Sequence, residues 1–197
     1  MLVTVQTTAA TALLARRAHA GDAAALNDLL ADLRPLVVQT ARLIVGSGSW
    51  SAEDAAQEAL LDISRDITTL REPEAVRAWA MRVAARRALK VAKRERLLRF
   101  GRTPTEQVQA VEQVQAVESE GDRGRALKEA FDRLPPRLRA TAVLRLHAGL
   151  SEIETAQALG CSVGTVKSNL HDARQQLTQL LTSAGYAPTP EPKDGPQ

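Results

Sequence analysis

Cysteine, aromatic residues and long apolar runs are what this sequence has least of. Its single cysteine, Cys161, cannot close an internal disulfide or complete an all-cysteine metal site, which excludes a small disulfide scaffold. Aromatics make up 3% of the 197 residues, so the core has to be built from Ala, Leu and Val. Ala and Leu favour helix, whereas strands prefer β-branched and aromatic side chains, and an all-α chain is expected. No apolar run approaches the ~20 residues that span a bilayer. The best candidate, Leu36 to Val45, is interrupted by Gln39 and Arg42, so membrane insertion is not expected. The start, MLVTVQTTAA, lacks a basic segment followed by an apolar block, and a cytoplasmic location is expected.

Enzyme signatures are missing as well. There is no GxxxxGK phosphate loop, no HExxH and no Gly-x-Ser-x-Gly, and His19, His147 and His171 are scattered. His147, at a helix end, reads as a cap or dipole partner, and Cys161 as a small packing residue. No catalytic residue, metal site or cofactor is therefore expected.

Apolar residues at 44% and charged residues at 25% are ordinary for a globular chain of one or two domains. The net charge of +3 argues little, but its distribution argues more. Nine Arg or Lys fall between Arg82 and Arg102 against one acid, Glu95, and Thr103 to Asp122 then carries five acids and no base.

Periodicity divides the chain. Residues 1–9 lack a pattern and are expected to be a disordered tail. A helix over about 10–20 stops at Gly21-Asp22. Leu26, Leu29, Leu30 and Leu33 mark the face of a next helix, and Pro35 is expected to bend or restart it. Ser51-Ala-Glu-Asp54 reads as an N-terminal cap with acids near the positive end of the dipole. Leu60, Ile63, Ile67 and Leu70 form that helix's apolar stripe, while Asp54, Glu58, Leu61, Asp62 and Arg65 lie on another face. A break at Arg71-Glu-Pro73-Glu precedes a helix from about Glu74 towards Leu98, which carries the basic block. Residues 101–122 are expected to be a flexible linker, 123–182 a second helical domain, and 183–197 a Pro- and Gly-rich disordered tail.

The second domain has the pattern of a helix-turn-helix. Ser151-Glu-Ile-Glu154 is a capping box, Leu159-Gly160 a stop, and Ser162 a new cap. In the last helix Val166, Leu170, Ala173 and Leu177 share an inward face. Ser168, His171, Asp172 and Gln175 point outward, flanked by Lys167 and Arg174. Such a surface fits a recognition helix whose early side chains reach base edges while its cations meet phosphates; an amphipathic helix with a solvated face fits equally.

In order along the chain, GDAAALNDLL, SAEDAAQEALLDI, AVRAWAMRVAARRALK and RLPPRLRATAVLRLHAGLSEIETAQALGCSVGTVKSNLHDAR resemble the bacterial extracytoplasmic-function sigma factors. The resemblance covers about residues 18–98 and 125–181. It implies a region 2 bundle over 10–100 and a region 4 helix-turn-helix domain over 123–182, acting with core RNA polymerase on promoter DNA. By resemblance, Asp54, Gln57, Glu58 and Leu61 dock on the β′ clamp helices; the alternative is a solvated acidic face. Arg71, Arg82, Arg86, Arg87, Lys90, Lys93 and Arg94 are assigned to the −10 element, where cations suit a melted strand. The loop Leu70–Glu74 matches the one that receives a flipped-out base in relatives, and Trp79 reads as a core anchor.

Thr165, Lys167, Ser168, Asn169, His171, Asp172, Arg174 and Gln175 are assigned to the −35 element, with region 4 also meeting the β flap. Many relatives have an anti-sigma partner, and the resemblance admits one here. The sequence departs from the family pattern in several places. Leu26, Leu30, Val37 and Leu60 replace common aromatics, Lys90 stands where Asp is usual, and Asn169 and Asp172 replace arginines. A stand-alone helix-turn-helix regulator is the alternative; it would need neither the α-helical docking face after Ser51 nor the basic block.

Overall fold

The computed structural model describes residues 2–46, 49–100 and 121–186. Helices account for most of these residues, and no strand occurs among them. Helix α1 spans Leu2–His19, which corrects the expected tail: residues 2–9 continue a helix whose Thr11, Ala12, Ala15 and Ala18 are buried. Nothing in this stretch breaks a helix, and once a turn is nucleated each added residue gains a hydrogen bond.

Helix α2 spans Ala23–Val45 and starts where Asp22 accepts the Ala25 N–H at 3.0 Å. That bond, with Arg17 beside it, holds the Asp22 carboxyl below its ordinary pKa. Pro35 lies inside α2 and does not restart it. A mid-helix proline costs ~3 kcal/mol or more. Leu33 and Val37, on either side, are fully buried, and each such side chain contributes ~1.5–3 kcal/mol, so packing outweighs the lost hydrogen bond.

Helix α3 is Ser51–Asp66, followed by short 3-10 turns at Ile67–Thr69 and Pro73–Ala75 that place the expected break. Helix α4 is Val76–Phe100. The second group begins with α5, Asp122–Arg133. Pro136 opens α6, Pro136–Ala142, and the chain continues into a π-helical turn at Val143–His147. Helix α7, Glu152–Leu159, and α8, Val163–Ser183, complete it. The expected linker lies outside the described residues apart from its last two positions, Gly121 and Asp122, and the C-terminal tail is described only to Tyr186.

Two apolar clusters hold these helices. Ala130, Leu134, Leu138, Ala142, Ala173 and Leu177 join α5, α6 and α8. The larger cluster joins Ala15, Leu29, Leu33, Ile44, Ile63 and Val76 of the first four helices, and it also takes in Ala140, Val143, Leu144, Leu150 and Ala158. The two helical groups therefore share a core, with α6 against α2 and α4 and α7 against α4. Alanines on the facing surfaces let the backbones approach. Gly46, at the end of α2 with φ +123°, sits at this joint: a Cβ there would lie 3.2 Å from Arg139 Nη1 of α6.

Candidate nucleic-acid and partner interface

Helix α3 is tied down on both sides. The cap expected at Ser51 is not formed, because the helix starts at Ser51 itself and Trp50 holds the N-cap position without a side-chain cap; Ser49 Oγ, one residue earlier, accepts the Ser51 N–H at 3.2 Å. The Ser49 hydroxyl also donates to Glu95 of α4 at 2.5 Å, and Arg42 of α2 pairs with Glu53 at 2.5 Å. With Ala52, Ala55, Ala56, Ala59 and Ile63 buried, the other side of α3 faces solvent. Asp54, Gln57, Glu58 and Leu61 all lie on that exposed side, as their spacing requires.

On α4 the residues assigned to the −10 element divide. Arg86, Lys90, Lys93 and Arg94 are exposed, as is Arg71 in the loop before the helix. Arg87 is not a free cation. Its Nε and Nη2 donate to the two Asp62 oxygens at 2.5 and 2.6 Å, and its Nη1 donates to Glu58 Oε2 at 3.0 Å. The paired hydrogen bond from Arg87 holds the Asp62 carboxyl below the usual range, and Asp62 in turn raises the guanidinium. Arg87 thus locks α4 to α3, a role hidden in the sequence because Asp62 and Arg87 are 25 residues apart. Arg82 is half-buried towards α7, where its charge helps the Ser151 N–H and hydroxyl hold Glu154 below its ordinary pKa. Trp79 is half-buried against the main core, in the anchoring role expected of it.

In the helix-turn-helix, the local chemistry follows the sequence closely. Ser151 Oγ accepts the Glu154 N–H at 3.2 Å while Glu154 accepts the Ser151 N–H at 2.8 Å, closing the capping box. Gly160 ends α7 in the left-handed region at φ 60°, a conformation that a side chain disfavours. Ser162 then accepts the Thr165 N–H at 3.1 Å. Val166, Ala173 and Leu177 are buried, and Lys167, Ser168, His171, Arg174 and Gln175 line the outer side, all exposed. Thr165 and Asp172 are half-buried, and Lys167 lies 3.6 Å from Glu152. Asn169 turns partly inward, donating to Thr141 Oγ1 at 3.4 Å, so it braces α8 on α6.

One exposed residue was not singled out by sequence reasoning. Trp50 precedes α3 with 91% of its surface open to solvent. Projection of the helix one turn backwards would have found it.

An acidic and polar face beside a basic one, followed by a helix-turn-helix, is the arrangement on which comparison with known proteins bears. Residues 29–97 match sigma-70 region 2, and residues 124–177 match sigma-70 region 4. The chain is 33% identical over 170 residues to the extracytoplasmic-function RNA polymerase sigma factor SigM of Mycobacterium tuberculosis, covering 86% of this chain and 82% of that protein. The chain belongs to the extracytoplasmic-function sigma factors. SigD of Mycobacterium bovis is similarly related, at 32% over 175 residues, 85% of this chain and 82% of that one.

Two solved structures share the fold of this sigma factor. RpoE of Bartonella quintana, seen with the anti-sigma factor NepR, aligns with TM-score 0.62 and 23% identity over 79% of this chain and 96% of that one. CnrH, seen with the cytosolic domain of CnrY, aligns with TM-score 0.58 and 23% identity over 88% and 98%. Among the described residues, no helix of this sigma factor is long and apolar enough to cross a membrane.

Proposed function

We propose that this sigma factor binds core RNA polymerase through the open side of α3, brings it to promoters and helps to open the duplex. The charge segregation on two adjacent helices carries the reading: α3 exposes Asp54, Gln57, Glu58 and Leu61, while α4 exposes Arg86, Lys90, Lys93 and Arg94. The first set would meet the β′ clamp helices. The second, with Arg71, would neutralise the phosphates of the melted −10 strand, releasing counterions and giving affinity that falls with salt. Arg82 borders this field from a half-buried position, whereas Arg87, neutralised by Asp62 and Glu58, serves it only by holding α4 on α3.

The start of α8 would enter the major groove at the −35 element, with Ser168, His171 and Gln175 towards base edges and Lys167 and Arg174 towards phosphates. Thr165 and Asp172 border this surface, and Asn169 supports it from behind. Asp172 near DNA is unfavourable except where it accepts from a cytosine amino group, so a cytosine is expected opposite it. Residues 10–100 and 123–182 would serve as the −10 and −35 modules, the latter also meeting the β flap. The setting is the cytoplasm, where core polymerase works. An anti-sigma partner belongs to the same reading, because one of the two solved structures that share this fold is seen with an anti-sigma factor.

Mapping transcript 5′ ends after overexpression tests this function. New start sites sharing two upstream elements at fixed spacing are expected. Changed transcript levels from existing start sites, with no shared −10 element, would favour a stand-alone regulator instead.

A further inference from the structure

The side chain of Trp50 is 91% exposed, whereas Trp79 packs against the core. An indole has roughly 150–250 Å² to bury, and Trp50 is the most open of the large apolar side chains among the described residues. The exposure does not come from a loose backbone. Trp50 O accepts the Glu53 N–H at 3.2 Å, Ser49 O accepts the Ala52 N–H at 3.2 Å, and Ser49 is tied to Glu95. Trp50 itself has helical dihedrals, φ −58° and ψ −32°, so the register of α3 runs back through it.

At about 100° per residue, Trp50, Asp54, Gln57 and Leu61 fall within a sector of roughly 60°. Each of the four is exposed, and Leu61 is 53% open. The stripe therefore has an apolar residue at either end and polar groups between them. Buried aromatic anchors beside polar contacts are how tight protein interfaces concentrate their affinity.

We propose that Trp50 is an aromatic anchor for the clamp coiled coil of core polymerase, extending the α3 docking face by one turn at its N-terminal end. The proposal rests on the docking role given to α3 above. Held by its hydrogen-bonded backbone, the indole loses little freedom when it seats against the apolar stems of the two clamp helices. Asp54, one turn further on, would meet a cation on the same surface.

The test is competition of full-length variants against labelled wild-type protein for purified core enzyme. Trp50→Ala is expected to weaken binding about tenfold or more, Trp50→Phe to retain most of the affinity, and the melting temperature of both to stay at the wild-type value. Asp54→Lys serves as the reference for the face itself. Loss of binding in Asp54→Lys with Trp50→Ala unchanged would overturn the anchor and leave the docking face standing. Unchanged binding in both variants would overturn both. Wild-type dimers that Trp50→Ala dissolves, at unchanged core affinity, would assign the indole to a second copy of the chain and overturn the proposal.

Discussion

Replacing Arg87 by methionine keeps an apolar stem and removes the cation that joins α4 to α3. The pair to Asp62 is bidentate, at 2.5 and 2.6 Å, with side chains 29% and 22% exposed. Hydrogen bonds to charged groups contribute ~1.5–3 kcal/mol, and solvent-exposed pairs only ~0–1. This half-buried lock lies between them, so a loss of about 1–2 kcal/mol is expected at pH 7. For a chain of this size that corresponds to a melting temperature lower by roughly 3–6 °C.

The pH dependence separates charge from packing. Arg87 holds the Asp62 carboxyl below its ordinary value, so the stabilisation is present above the unfolded pKa near ~4 and is lost as pH falls through the folded value. Urea titrations of Arg87→Met and wild type should differ at pH 7 and converge well below pH ~4. Asp62→Asn should show the same convergence. A gap of equal size at both pH values would assign the effect to the stem, and no gap at pH 7 would refute the lock.

Leu144 is fully buried in the cluster that joins the two helical groups, and Leu144→Ala should cost about 2–5 kcal/mol by calorimetry; a change under ~1 kcal/mol would contradict the shared core. Neutralising Lys93 and Arg94 to Gln should flatten the salt dependence of promoter-complex formation by about 0.7 for each phosphate left without a cation, and an unchanged slope would remove these cations from the strand path.

Much of the helix-turn-helix was legible because its signals are local. Ser151 and Glu154 make a capping box within one turn, and Gly160 and Ser162 mark the stop and restart with residue types suited to those backbone positions. The inward face of α8 follows from helical spacing alone. Long-range pairing was not legible in this way. Nothing in the sequence near Arg87 points to Asp62, and an arginine in a basic block reads as a nucleic-acid contact until its partner is seen.

The apolar faces of α6 and α7 announce that they are buried, but not that α2 and α4 bury them. Pro35 misleads for a related reason: local propensity disfavours it inside a helix, and only the tertiary packing of Leu33 and Val37 overrides that. Trp50 escapes notice because tryptophan is ordinarily buried, although its place one turn before Asp54 puts it on the outer face by spacing alone.

Run-off transcription with purified core enzyme, on a template carrying a start site mapped as above, tests promoter direction most directly. A discrete transcript that appears only when this chain is added, and disappears when either upstream element is scrambled, is the predicted result. Transcription indifferent to the chain's presence would contradict it.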